Sequence, residues 1–189
     1  MEAVVPRVAF YTFAIGKGAF GSEVMGGFIA MLPSVFGEAE GRDGFIAHAH
    51  TAKPDPTRSS FGQVFGPWGV FVLPRFYDGG SLPGTITQAS TLSLWRDIEA
   101  VRRFAYNGLH KAALAKRGEW FRRPEWPTYV MWWVADDHTP TWAEACRKLE
   151  ELHDLGPTPA AFSFKTPFDA EGRGVRLPMA AAGVRAEGT

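Results

Sequence analysis

His110 is the side chain best placed by its surroundings to do chemistry. Residues 95–114 read as one amphipathic helix. At about 100° per residue, Ile98, Val101, Ala105, Gly108, Leu109 and Ala112 share one arc, the expected buried face. His110 falls off that arc, on a flank with Glu99, Arg103 and Tyr106. An imidazole changes charge near neutral pH, so such a group could move protons. At the edge of an apolar face, between an arginine and a tyrosine, it could border a cavity; the plainer reading is a packed or solvated helical histidine. His48 and His50 form a second arrangement, two residues apart in a segment of alternating pattern, which puts them on one face of a strand. A metal could use such a pair, but no third ligand stands at a diagnostic spacing, and two half-exposed strand histidines is the plainer reading. Asp136, Asp137 and His138 lie in a strand-to-helix loop, where cap and turn chemistry is expected. There is no phosphate loop, dinucleotide fingerprint, nucleophile elbow or paired-carboxylate motif.

The elements that must position these groups follow from periodicity and breakers. Residues 7–14 (RVAFYTFA) suit a strand covered on both faces. Ser22 is the expected N-cap of a helix through Met25, Phe28, Ile29 and Leu32, which Pro33 should kink or end. Residues 45–51 read as a strand, 53–60 as a polar loop and 78–84 as another loop. Residues 63–77 are β-prone but interrupted by Pro67 and Pro74. A strand over 85–95 leads into the His110 helix, where Gly108 costs about 1 kcal/mol relative to Ala. Asp97 and Glu99 at its start and Lys111, Lys116 and Arg117 at its end match the helix dipole. After a Trp-rich turn, residues 128–134 (TYVMWWV) form the most apolar strand. Thr141 and Glu144 make a capping box for a helix ending near Leu155, with Gly156 just beyond it. Residues 162–164 could pair as a short last strand. The domain should occupy residues 1–168, leaving 169–189 as a mobile tail.

This β-α-β-β-α-β order with an added C-terminal helix predicts an α+β domain of the ferredoxin-like type, an antiparallel sheet with its helices on one face. The other face needs cover. Tyr129, Met131 and Trp133 alternate with Val130 and Trp132, and a second copy of the chain is the simplest cover for them. Lys plus Arg and Asp plus Glu balance at 20 each, so nothing points to nucleic acid or an anionic membrane. No apolar run reaches the roughly 18 residues of a membrane span. One cysteine, Cys146, excludes an intrachain disulfide and fits a cytoplasmic protein. Seven tryptophans among 14% aromatic residues supply cores and interfaces, and also the walls of pockets for flat apolar ligands.

The segments LWRDIEAVRRFAYNGLHKAALAKRGEWF and MWWVADDHTPTWAEACRKLEELHDLGPTPAAFSF resemble a bacterial domain-of-unknown-function family of the dimeric α/β-barrel superfamily, the one that includes antibiotic-biosynthesis monooxygenases. The resemblance spans about residues 91–164 and implies a homodimeric barrel. Residues 95–110 also resemble the helix of haem-degrading monooxygenases, in which a Trp precedes the helix and a late His ligates iron. Carried to this chain, those positions are Trp95 and His110. The resemblance implies haem b, or no cofactor, with Arg75, Arg102 and Arg103 as candidates for propionates or a substrate carboxylate and Tyr106 or Tyr11 as hydrogen-bonding groups. Three functions follow as expectations: a haem-dependent, monooxygenase-like oxidoreductase on a small apolar or aromatic substrate; a cofactor-free oxygenase or cyclase/isomerase with His110 as acid/base, assisted by Arg103 and Tyr106; and a dimeric binding protein without chemistry.

Overall fold

The computed structural model describes residues 5–50, 62–77 and 88–177. Strand β1 (Arg7–Ile15) carries apolar residues on both faces and takes the centre of a four-stranded sheet. It pairs antiparallel with β3 (Gln88–Trp95) on one side and β4 (Tyr129–Val134) on the other; β2 (Phe45–His48) is the edge beyond β3. The order β2-β3-β1-β4 is that of the expected β-α-β-β-α-β chain. Helix α1 (Glu23–Glu40) joins β1 to β2, helices α2 (Ile98–Ala105) and α3 (Gly108–Trp120) join β3 to β4, and α4 (Trp142–Leu155) follows. The α4 caps are those read from the sequence: Thr141 Oγ1 accepts from the Glu144 amide, and Gly156 follows the last turn at φ +74°.

Both faces of the sheet are covered from within the chain. On one, Ala9, Tyr11, Phe13, Leu92, Val130 and Trp132 pack against α4 and the aromatic segment around Phe65, Trp68 and Phe71. On the other, Val8, Phe10, Trp95 and Met131 pack against Ile98, Val101 and Phe104 of α2, Ala39 of α1 and Phe162. Helices α1 and α2 thus share one face, as expected, and the added C-terminal helix α4 covers the other. Met131, expected on an open face awaiting a second copy, is fully buried. Its backbone exchanges both hydrogen bonds with Phe162 (2.8 and 2.9 Å), and Trp133 Nε1 donates to the Phe168 carbonyl (2.7 Å). The short last strand is thus a single bridge that lays three phenylalanines, Phe162, Phe164 and Phe168, over that face.

Four local expectations change. Pro33 does not end α1, which continues to Glu40 because its later residues Val35 and Ala39 pack on the core. Ser22 is at the N-cap, but its hydroxyl donates to the Ala19 carbonyl instead of accepting from the helix. Residues 63–77 make no strand: Val64 and Val70 form one bridge around a 3-10 turn at Gly66–Trp68. The expected tail is folded as far as residue 177. Asp169 accepts from the amides of Glu171 and Arg173, Phe168 bridges to Gly174, and Leu177 packs against the core. Residues 51–61, 78–87 and 178–189, with the two loops and the tail end read there, lie outside the described residues.

Candidate functional site around His110

The single helix expected over residues 95–114 is two helices. Tyr106 and Asn107 leave helical geometry, and Gly108 restarts the chain at φ +57°. Only glycine adopts that conformation without strain. The restart is held from outside: Glu38 of α1 accepts the Leu109 amide (2.7 Å) and pairs with Arg42. A Cβ on Gly108 would stand 1.9 Å from Glu38 Oε1. The break resets the helical phase. Leu109, expected in the core, is 42% exposed, and His110, expected off it, turns inward with Ala113 and Leu114, all half-buried.

The sheet face beneath these helices changes character along its length. Val8, Phe10, Ser93 and Trp95 are buried, whereas Thr12, Ala14, Ala89 and Thr91, further along the same face, are only half-buried. At Thr12 the strand is flanked by Thr91 on one side and Tyr129 on the other, so access can come only from above. α1 and α3 pack chiefly on each other, with α1 also touching β2 and α3 touching α2. Phe28, Ile29, Leu32 and Phe36 of α1 are half-buried, with Phe36 stacked on His48 of β2 at 5.3 Å. At the end of α3 the Trp120 ring packs 5.8 Å from Phe28 and against Gly27 of α1. The half-buried small residues of this sheet face, the half-buried apolar residues of α1, and His110 on α3 make up the candidate site.

The His110 ring lies 4.6 Å from Phe104, which in turn stacks on Trp95 at 5.1 Å. Its Nδ1–H donates to the Ala105 carbonyl (2.8 Å). A carbonyl only accepts, so that bond fixes the Nδ1–H tautomer and leaves the Nε2 lone pair free. Nε2 has no hydrogen-bond partner among the described residues. Burial pushes the imidazole below its ordinary 6.5, and the Ala105 carbonyl and the Glu38 carboxylate pull only partly the other way.

The other sequence candidates scatter. Trp95 is buried, with its indole N–H on Ser93 Oγ (2.8 Å), and reaches His110 only through Phe104. Arg103 points to Asp43, 3.7 Å away, and Arg102 pairs with Glu99 on its own helix. Tyr106 is 43% exposed, packs 5.4 Å from Phe164 and hydrogen-bonds with the Tyr129 hydroxyl. Arg75 lies across the sheet, held by Asp154 and Glu150 near α4, so it does not join His110. The separation arises because residues 62–77 cover the α4 face. Tyr11 is buried on that same face, 3.9 Å from Cys146. His48 and His50 do share a face: the rings stack at 5.1 Å, and His48 Nε2 meets Glu40 at 3.0 Å. Among the described residues no group of three or more His, Cys, Asp or Glu can hold a metal ion. His138 serves the α4 cap, with Nε2 on Glu144 (2.8 Å), and Glu144 also accepts from Trp132. Thr12, Thr91, Glu38 and Phe104 were not legible as site residues, because their roles depend on cross-strand and interhelical partners.

A four-stranded antiparallel α+β domain is therefore the class that the fold defines. The chain belongs to the family described as "Domain of unknown function (DUF3291)", which matches residues 7–177. No curated protein matches it. Among solved structures it is similar to the "NE2512 protein of unknown function from Nitrosomonas europaea", with 10% identity, a TM-score of 0.40, and coverage of 72% of this chain and 95% of that one. No helix among the described residues is long and apolar enough to cross a membrane.

Proposed function

We propose that the protein is a small monooxygenase-like oxidoreductase acting on an apolar or aromatic molecule bound beside α3, with His110 Nε2 as its reactive nitrogen. The observation that carries this reading is the His110–Ala105 bond, which fixes the tautomer of an imidazole kept neutral by burial and leaves its other nitrogen without a partner among the described residues. That is the arrangement a haem-ligating histidine needs, since a hydrogen bond at one nitrogen fixes the ring and raises the donor strength of the other. The donor set therefore fits haem at His110, whereas Arg75 does not fit as a propionate partner there. When bound, haem supplies the redox chemistry that side chains lack. Phe104 braces the imidazole, and the half-buried apolar residues of α1 would limit the access of water.

A second reading uses the same atom without a cofactor. The neutral Nε2 is a proton acceptor at pH 7, suited to a cofactor-free oxygenase or a cyclase/isomerase. Arg103 and Tyr106, engaged elsewhere, would not assist it. A second copy recruited to form a dimeric barrel would meet α4 and the 62–77 segment, since Met131 is already covered.

Titration with haemin tests the first reading. A sharpened Soret band saturating at one haem per chain is expected for the wild type, and its loss in His110→Ala with an unchanged circular dichroism spectrum. Equal uptake by both proteins would overturn the axial role. No uptake by either transfers the bet to the cofactor-free reading.

A further inference from the structure

We infer that His48 and His50 form a binding site for a divalent transition-metal ion of the zinc or copper class at the edge of the sheet, with Glu40 orienting the first of these ligands. The site is separate from His110 and does not depend on the function proposed there. Helix α1 ends at Glu40 and the chain returns through residues 41–44 into β2, which brings the helix end beside the last residue of the strand. The Ala49 amide donates to the Leu92 carbonyl (2.8 Å), which carries the ladder one residue past β2 and keeps His50 on the face of His48. Their rings stack at 5.1 Å. Phe36 of α1 also stacks on His48 (5.3 Å), and Phe45 packs 5.8 Å from it. The His48 ring is thus held between helix and strand, with its side chain 18% exposed.

The hydrogen bonds decide which nitrogens are free. A carboxylate and a carbonyl only accept, so His48 Nε2–H donates to Glu40 Oε1 (3.0 Å) and His50 Nδ1–H to the His48 carbonyl (3.1 Å). Each neutral ring keeps a lone pair on its other nitrogen, Nδ1 of His48 and Nε2 of His50. Neither has a partner among the described residues. Metal-binding histidines are held in this way, one N–H on a carboxylate or backbone carbonyl, because that bond fixes the tautomer and strengthens the donor nitrogen. Here two adjacent rings carry it, one with each kind of acceptor. Imidazole nitrogens suit zinc and copper. Two of them on one zinc, each at about 2.0–2.1 Å, stand within about 4.2 Å of each other. Rings 5.1 Å apart reach that by side-chain rotation. No third His, Cys, Asp or Glu joins them among the described residues, so water or a small chelating molecule completes the coordination. Fastening α1 to β2 would need only Glu40 and His48, and would leave the stacked, tautomer-fixed ring of His50 unaccounted for.

The test is calorimetric titration of the full-length chain with zinc chloride at neutral pH. Wild type is expected to take up one zinc per chain with saturation. His48→Ala and His50→Ala should each abolish saturable uptake, whereas His110→Ala and His153→Ala should leave it unchanged. Glu40→Gln keeps both ligands and removes only the charge of the acceptor, and should weaken zinc about 10–100-fold, the usual effect of losing such a partner. Exposed histidine pairs collect metal weakly on many protein surfaces, and the Glu40 variant separates a built site from that: affinity unchanged in Glu40→Gln would mean adventitious binding and overturn the site. Uptake surviving in His50→Ala, or no saturable uptake by wild type, would also overturn it. His48 is packed between helix and strand, so if His48→Ala fails to fold, His50→Ala at its exposed position remains decisive. With copper(II) as the probe, electron paramagnetic resonance should show two coupled nitrogens in wild type and one in His50→Ala; the same count in both would refute the pairing.

Discussion

Replacing Gly108 by Ala separates two structures of the segment by the sign of its effect. In a continuous helix the substitution would stabilise the protein by about 1 kcal/mol, the propensity difference between the two residues. Here Gly108 sits at φ +57°, where an L side chain costs about 1–2 kcal/mol. The new methyl group would also overlap Glu38 Oε1, 1.9 Å from its ideal position. Glu38 is a flexible side chain and can swing away, so the overlap itself is not the cost. The cost is its 2.7 Å bond from the Leu109 amide, a charge-assisted bond worth about 1.5–3 kcal/mol. Together these give a loss of about 3 kcal/mol, or a fall in Tm of about 6–12 °C for a chain of this size. Urea unfolding of wild type and Gly108→Ala measures it. Repeating the comparison in a Glu38→Ala background should shrink the loss to the backbone strain alone, about 1–2 kcal/mol. Stabilisation, or a loss below about 0.5 kcal/mol, would refute the broken helix and the Glu38 clamp, and with them the inward turn of His110.

Two further outcomes follow from the same geometry. His110 titrates below its ordinary value in the folded protein, so the unfolded chain binds more protons near and below pH 6.5 and stability must fall as pH drops through that range. Wild type should lose more stability between pH 7.5 and 5.5 than His110→Asn, measured by urea unfolding; parallel losses would show that the ring is not desolvated. Ending the chain at Phe168 removes Leu177 and the Asp169–Arg173 turn from the core, at an expected cost of about 2 kcal/mol, or about 4–8 °C in Tm. A change under about 1 °C would mean that this segment rests on the body without stabilising it.

Features that depend on neighbours in the sequence were legible without the fold. The two-sided apolar pattern of residues 7–14 placed β1 inside a sheet, because alternation fixes which side chains share a face. Thr141, Glu144 and Gly156 marked both ends of α4, because caps satisfy orphan backbone groups a few residues away. The order of strands and helices followed, and with it the α+β class and the place of His110 in the helical segment before β4. What required the tertiary structure depends on partners far apart in the chain. The break at Gly108 is held by Glu38, 71 residues before the Leu109 amide that it accepts, so no helical wheel could show it. The cover over Met131 comes from Phe162, whose short bridge has too few residues to show a periodicity. Arg75 was separated from His110 only when residues 62–77 settled on the α4 face. The hydroxyls of Thr12 and Thr91 meet across 79 residues through a strand register that neither strand's sequence specifies alone, since pairing is a property of two strands packed on one core.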